Sequence, residues 1–253
     1  MGSALAGGWI KSGYEGPIAV FAPRPSDLVR SWENDGKIRL NPDSATASTL
    51  VIAVKPQIFP KILDELRTLV GPNTLVLSVM AGITLSSLAD KLGTKRVARA
   101  MPNTPGLVGE GMTLLCLPED AEDDDAAYLR ELLTPLGAVE GPLGENQLSA
   151  ATAISGCGPA YAFLLAEVMA AAGEARGLPR DLALRLAQKT VQGAGALMME
   201  SEDPPSTLRE NVTSPGGVTK AALDVLMREG AMPSLMKEAV DAAIKRDREL
   251  SGD

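Results

Sequence analysis

The sequence predicts an α/β domain followed by an all-helical one. Two observations carry that reading. Up to residue 140, short apolar runs alternate with helical stretches, the pattern of a parallel sheet with crossover helices. Beyond Gly141-Pro142-Leu143-Gly144 no strand pattern is found and every apolar stretch has helical spacing. The expected domains are therefore 1–143 and 144–253.

In order, Met1-Gly2-Ser3-Ala4-Leu5-Ala6-Gly7-Gly8 begins a helix of small residues. A strand is expected at 18–21, then Ala22-Pro23-Arg24-Pro25-Ser26. A second strand, 49–54, closes on Lys55-Pro56-Gln57, and a helix follows over 58–70. The run 74–80 ends at Ala81-Gly82, and further strands are expected at 96–100, 112–117 and 138–140. The acidic run 119–125 reads as a solvated loop or helix start. In the second half, 159–176 is apolar nearly all round and predicts a buried helix. Gly177-Leu178-Pro179 stops it and starts the next, 180–199. Gly193 and Gly195 inside that helix cost about 1 kcal/mol each relative to alanine, which points to a close helix crossing, within the chain or between subunits, or to a kink. Pro204-Pro205 starts a further helix, and 232–250 makes the last.

Histidine is absent from all 253 residues. That removes Ser-His and Cys-His nucleophilic catalysis, the H-E-x-x-H zinc site and any histidine proton relay. Chemistry must use hydroxyls, lysines, carboxylates, backbone amides or a cofactor. The two cysteines, Cys116 and Cys157, have no metal-ligand spacing and read as free thiols in a reducing, cytoplasmic setting. No metal site is expected. A net charge of −8 and 3% aromatic residues argue against nucleic-acid binding. No apolar run is expected to reach the ~20 residues that span a bilayer, and no signal peptide is seen.

Several motifs carry two readings each. Asn211-Val212-Thr213-Ser214-Pro215-Gly216-Gly217-Val218-Thr219-Lys220 runs into a helix. It is either an ordinary cap or an anion cradle, with hydroxyls beside unpaired amides at a positive dipole end. Gly2-Ser3-Ala4-Leu5-Ala6-Gly7 is either a small-residue helix or the end of a G-x-G-x-x-G dinucleotide motif. Arg24, with Ser26 nearby, stands about 20 residues on, where such folds choose a cofactor; an arginine there suits a 2′-phosphate. Lys55-Pro56 and Met101-Pro102-Asn103-Thr104-Pro105 follow strands, where an open sheet binds ligands, or are plain turns. Thr152-Ala153-Ile154-Ser155-Gly156-Cys157-Gly158-Pro159 lacks the end of a Walker motif and reads as a tight backbone approach at the domain junction.

Together, Lys55-Pro56-Gln57, Met80-Ala81-Gly82-Ile83-Thr84, Arg99-Ala100-Met101-Pro102-Asn103-Thr104-Pro105, Ser155-Gly156-Cys157-Gly158-Pro159-Ala160-Tyr161 and Ser214-Pro215-Gly216-Gly217-Val218-Thr219 resemble the pyrroline-5-carboxylate reductases, in the same order along the chain. The resemblance implies reduction of 1-pyrroline-5-carboxylate to L-proline by NADPH, with NADH as the alternative reductant. It implies a Rossmann-like domain followed by a helical one that interlocks into dimers or rings of dimers. Gly2, Ser3 and Ala4 would lie by the cofactor pyrophosphate, and Arg24 and Ser26 by the adenosine ribose. Val54, Lys55, Pro56, Ala81 and Gly82 would line the dinucleotide crevice, and Asn103 would face the nicotinamide. Ser214, Gly216, Gly217 and Thr219 would hold the imino-acid carboxylate. Ser214 and Thr219 are the catalytic candidates, Thr219 acting at the ring nitrogen.

Two departures stand out. Cys157 occupies a position usually held by serine, a better hydrogen-bond donor. The resemblance also implies a strand and G-x-G-N ahead of Met1-Gly2, roughly ten residues, which raises the alternative of a catalytically impaired homologue with an assembly role. A hydroxyacid dehydrogenase of similar layout ranks lower, because no lysine lies between 141 and 188.

Overall fold

Short apolar runs become strands here, the central two covered on both faces, and some of the helices between them end on a left-handed glycine. In the computed structural model, which describes residues 1–43 and 47–251, the order begins with α1 (Gly2–Ser12), closed by left-handed Gly13. Strand β1 (Ala19–Val20) follows, then α2 (Asp27–Asn34), capped by the Ser26 side chain, and β2 (Arg39–Leu40). Next come β3 (Thr49–Ile52), α3 (Leu63–Leu69) and β4 (Leu75–Ser78). Helix α4 (Leu85–Leu92), capped by Thr84, leads to β5 (Val97–Pro102) and β6 (Gly111–Cys116). The series closes with α5 (Asp123–Leu133), β7 (Gly137–Leu143) and α6 (Glu145–Ser155). The helix expected over 58–70 is split, with a 3-10 turn, Phe59–Lys61, preceding α3.

Five strands form one sheet in the order β3-β4-β5-β6-β7, and β1 pairs with β2 in parallel in a separate two-stranded sheet. β3, β4 and β5 are parallel, in register Leu50 to Val76 and Leu77 to Ala98. The expectation of a wholly parallel sheet is corrected at one step, because β5 and β6 are antiparallel. Only residues 103–110, built around the turn Thr104–Val108 and left-handed Gly109, separate them, too short a link for a crossover helix. Every residue of β4 and β5 is buried. One face packs Leu88, Leu114, Cys116 and Leu148 against α4 and α6; the other packs Leu5, Leu115, Leu129 and Leu133 against α1 and α5.

The acidic run needs a second correction. Asp125 is buried rather than solvated, and it takes a two-pronged bond from Arg96, with Nε to Oδ2 at 2.8 Å and Nη2 on Oδ1. Three aspartates in the first turn of α5 also favour the helix dipole.

The chain divides into two compact units, Met1 to Gly156 with the end of the chain from Ile244, and Cys157 to Ala243. The first unit therefore extends past the expected boundary at 143, since α6 packs on β6 and Ser149 Oγ bonds Asp247 Oδ2 at 2.6 Å. The second unit is helical: α7 (Gly158–Glu174), α8 (Arg180–Glu200), α9 (Pro205–Asn211), α10 (Val218–Leu226) and α11 (Met232–Ser251), whose end returns to the first.

Two expectations fail in this second half. No residue of α7 is buried, and Phe163 is 65% exposed. A Cβ on Gly193 or Gly195 would meet nothing within 4 Å, so no helix of this chain crosses closely at either glycine, which leaves the crossing between subunits or the kink. The helical stretch Glu145–Glu174 is also long and apolar enough to cross a bilayer by length and composition, contrary to the sequence expectation; here it breaks into α6 and α7 at Gly156-Cys157.

Asp125→Ala should lower the unfolding free energy by about 2 kcal/mol, the range for a hydrogen bond to a charged group, and Asp125→Asn by less. Urea denaturation checks both.

Candidate functional site

Parallel pairing brings the ends of β3, β4 and β5 to one edge of the sheet, and the loops that follow them meet there. After β3 come Val54, Lys55 and Pro56; Lys55 is exposed and the Lys55 carbonyl accepts the Ile58 amide at 2.8 Å. After β4, the Val79 amide donates to the Ile52 carbonyl at 3.1 Å, linking the two loops. Ala81 is exposed and Gly82 buried with φ 71, a left-handed conformation that suits glycine. The start of α1 lies against the same edge. A Cβ on Gly2 would come within 3.3 Å of Ala53 Cβ, a contact tight enough that a side chain there would press on the strand end. Met1 caps that helix with its carbonyl alone, and the amides of Gly2 and Ser3 have no acceptor among the described residues. Ala4 donates to the Met1 carbonyl at 2.9 Å. Unpaired amides at the positive end of an 11-residue helix beside strand ends suit a pyrophosphate.

Asn103 follows β5, and its side-chain amide is engaged with backbone at both ends. Nδ2 donates to the Ser155 carbonyl at 2.9 Å, and Oδ1 accepts the Met112 amide at 2.9 Å. It therefore shapes the loop, joining the end of β5 to the start of β6 and to the last turn of α6.

Behind these loops lies a buried ion pair that sequence reasoning missed. Arg99 on β5 is buried and its Nη1 meets Glu145 Oε1 at 2.5 Å; the same oxygen accepts the Leu85 amide at 2.9 Å. Arg99 Nε has no partner among the described residues. One signal was available, since an arginine inside Val97-Ala98-Arg99-Ala100-Met101 demands a partner once buried. Nothing in the sequence marked Glu145. Cys116, opposite Arg99 in the β5–β6 register, is buried, and its thiol is pushed up to about 11 by burial first and by the charge of Glu145 second, with Arg99 opposing.

Arg24 and Ser26 stand on the loop after β1. Arg24 is exposed and makes no ion pair among the described residues, while Ser26 Oγ accepts the Val29 amide at 3.4 Å as the cap of α2. Asn41, the one non-glycine residue with positive φ among those described, holds this loop: its Oδ1 accepts the Ala22 amide at 2.8 Å and its Nδ2 donates to the Ala22 carbonyl at 3.0 Å. The sequence offered no sign of that clamp.

In the second unit, Gly216 has φ 68 and the Gly217 amide donates to the Ser214 carbonyl at 3.0 Å, a tight turn into α10. Ser214, Gly216 and Thr219 are exposed, and Gly217 is half-buried as the cap residue. No side chain caps α10, and the amides of Val218, Thr219 and Lys220 have no acceptor among the described residues. Donors, two hydroxyls and a positive helix end are thus gathered on one exposed loop. Cys157, at the start of α7, bonds the hydroxyl of Tyr161, so the thiol keeps a local partner; burial first, then Cys157, pushes the Tyr161 hydroxyl up. No cluster of metal-ligating groups occurs among the described residues.

A sheet of this topology with ligand loops at its strand ends, followed by a helical unit, defines the class of Rossmann-like dinucleotide-dependent oxidoreductases. Residues 145–250 match the family description "Pyrroline-5-carboxylate reductase dimerisation", and residues 1–82 match "NADP oxidoreductase coenzyme F420-dependent". The pyrroline-5-carboxylate reductase of Arabidopsis thaliana is 36% identical over 99% of this chain and 92% of its own length. That of Synechocystis is 37% identical over 92% of this chain and 88% of its own. Among solved structures, a pyrroline-5-carboxylate reductase from Coxiella burnetii superposes with a TM-score of 0.90 at 33% identity, covering 99% of this chain and 94% of that one. A Plasmodium falciparum pyrroline carboxylate reductase with NADP bound gives 0.82 at 28%, over 99% of this chain and 94% of that one. The chain belongs to the pyrroline-5-carboxylate reductase family. That membership does not favour the hydroxyacid dehydrogenase or impaired-homologue alternatives.

The Cys116 thiol carries a pH signature. Between its ordinary value of 9.0 and about 11, the unfolded chain loses this proton while the folded chain keeps it, so the stability it contributes is present below 9.0 and lost as pH rises to about 11. Unfolding free energies measured across that window should fall more steeply for the native protein than for Cys116→Ala, by up to about 1.4 kcal/mol per pH unit.

Proposed function

We propose that this chain reduces 1-pyrroline-5-carboxylate to L-proline with NADPH, the last step of proline biosynthesis. The observation that carries the reading is similarity along 99% of the chain to a pyrroline-5-carboxylate reductase. The Plasmodium falciparum relative, solved with NADP bound, supports the choice of cofactor. In this reading the first compact unit is the cofactor half and the second, Cys157 to Ala243, the substrate and dimerisation half.

The residues present fit such a cofactor. The Gly2 and Ser3 amides, with Ala4 behind them, would receive the pyrophosphate. Arg24, unpaired and exposed, would meet the 2′-phosphate, with Ser26 ordering the helix beside it. Val54, Lys55, Pro56, Ala81 and Gly82 would line the crevice, and Asn103, held by its two backbone bonds, would face its nicotinamide end. When bound, the cofactor supplies hydride to the C=N carbon. The chain's own task is positioning, because a cyclic imine is already an electrophile and needs no nucleophile. That explains how a family member works without histidine. The amides of Gly217 and the first turn of α10, with Ser214 and the turn at Gly216, would anchor the substrate carboxylate. The Thr219 hydroxyl would hydrogen bond the ring nitrogen and carry its proton.

We further propose that the chain acts as a homodimer or a ring of dimers. Phe163, Leu164 and Val168 on α7, Leu186 and Leu197 on α8 and Val225 on α10 are all at least half exposed, more apolar surface than a solitary helical unit tolerates. A matched family description that names dimerisation supports a second copy as the cover. Free thiols and a net charge of −8 support a cytoplasmic protein acting on a small molecule rather than nucleic acid.

Purified protein should oxidise NADPH when given pyrroline-5-carboxylate; no oxidation under saturating conditions refutes the activity. Thr219→Val should cut kcat by about tenfold or more, the scale of a lost proton-transfer group, and unchanged turnover removes Thr219 from the role. Arg24→Ala should raise KM for NADPH by about tenfold and leave KM for NADH nearly unchanged. Light scattering should give at least twice the mass of one chain, and a monomer at assay concentrations refutes the dimer.

A further inference from the structure

Helix α6 is attached at both ends to loops of the cofactor crevice. At its first residue, Glu145 Oε1 receives the Leu85 amide at 2.9 Å and Arg99 Nη1 at 2.5 Å. At its last, the Ser155 carbonyl receives Asn103 Nδ2 at 2.9 Å. Leu85 opens α4 directly after Ala81-Gly82-Ile83-Thr84. The cap of that helix, Thr84, is already engaged with the Ser87 amide at 3.2 Å, so the Leu85 amide depends on a carboxylate 60 residues away. A negative charge there also meets the positive end of α4. Arg99 is buried, and Glu145 is the one acid paired with it among the described residues.

We propose that Glu145 is a positioning residue for the reaction: its carboxylate, held in place by Arg99, fixes the loop 81–85 and so one wall of the crevice. The proposal rests on the reading of that crevice as a cofactor site. One rigid helix then sets both the Gly82 loop and, through Ser155 and Asn103, the loop after β5. Its last turn runs on to Gly156 and Cys157, where the chain enters the second unit. Ordering these loops before the cofactor arrives removes that cost from binding.

A buried ion pair can serve the fold alone, so the test separates stability from loop order. The variants are Glu145→Gln, which keeps an acceptor for the Leu85 amide, Glu145→Leu, which removes it, and Arg99→Met/Glu145→Leu, which also removes the stranded cation. Amide hydrogen exchange over 81–85 is read in the protein without cofactor, beside the thermal midpoint and the Kd for NADPH. Glu145→Leu should speed exchange in that segment and weaken NADPH, each by about tenfold, the scale of one hydrogen bond to a charged group. Glu145→Gln should stay within about threefold of the native protein on both. In the double variant the midpoint should recover towards native while exchange and Kd remain as in Glu145→Leu. Native exchange in either leucine variant, or native Kd in the double variant, overturns the proposal. The exchange arm needs no cofactor, so it stands even if the native protein fails to oxidise NADPH with pyrroline-5-carboxylate, a result that would refute the activity instead.

Discussion

In a parallel pair of strands the chain leaves both strands at the same edge, and it must return over a face of the sheet before it can pair again. β3, β4 and β5 obey that constraint in strict register, and most of the first unit follows from it. Three loops that lie far apart in sequence, after residues 52, 78 and 102, meet at one edge. The returning helices α3 and α4 seal one face with the apolar stripe of Leu66, Leu85, Leu88 and Leu92. The start of α1 reaches the same edge because Gly2 offers no Cβ against Ala53. A crevice rimmed by backbone amides is the product of pairing geometry before any side chain is considered.

The side chains then stiffen that edge. Arg99 sits within a strand whose every residue is buried, and its charge is tolerated because Glu145 answers it. Asn103 uses both ends of its amide on the backbone of its own unit. Asn41 does the same for the loop that presents Arg24. In each case a polar side chain bonds within the protein and steadies the edge, which is how a site built mainly from backbone keeps its shape.

The second unit shows the opposite pattern of burial. α7 and α8 pack on one another and leave an open groove of about 450 Å³, rimmed by Phe163, Glu167, Arg180 and Leu184. Val218 is 91% exposed at the start of α10. The all-round apolar pattern of 159–176 predicts a buried helix, and within a single chain that expectation fails. Periodicity reports how much of a helix must be covered, and it is silent on whether the cover comes from the same chain or another.

Alternation of apolar runs and helical stretches was enough to derive an α/β half followed by a helical half, because strand and helix periods differ and the change near residue 141 is abrupt. The absence of histidine alone narrowed the chemistry, and the proline-glycine loop before α10 marked a helix start with open amides. The antiparallel step at β6, the burial of Asp125 by Arg96 and the Arg99–Glu145–Leu85 junction emerged only from the tertiary structure. The two ion pairs join groups 29 and 46 residues apart in sequence, and the strand reversal depends on a turn too short for a crossover. Local propensity extends over one helical turn or one strand pair. The partner of a buried charge is chosen by packing, which no stretch of sequence holds by itself.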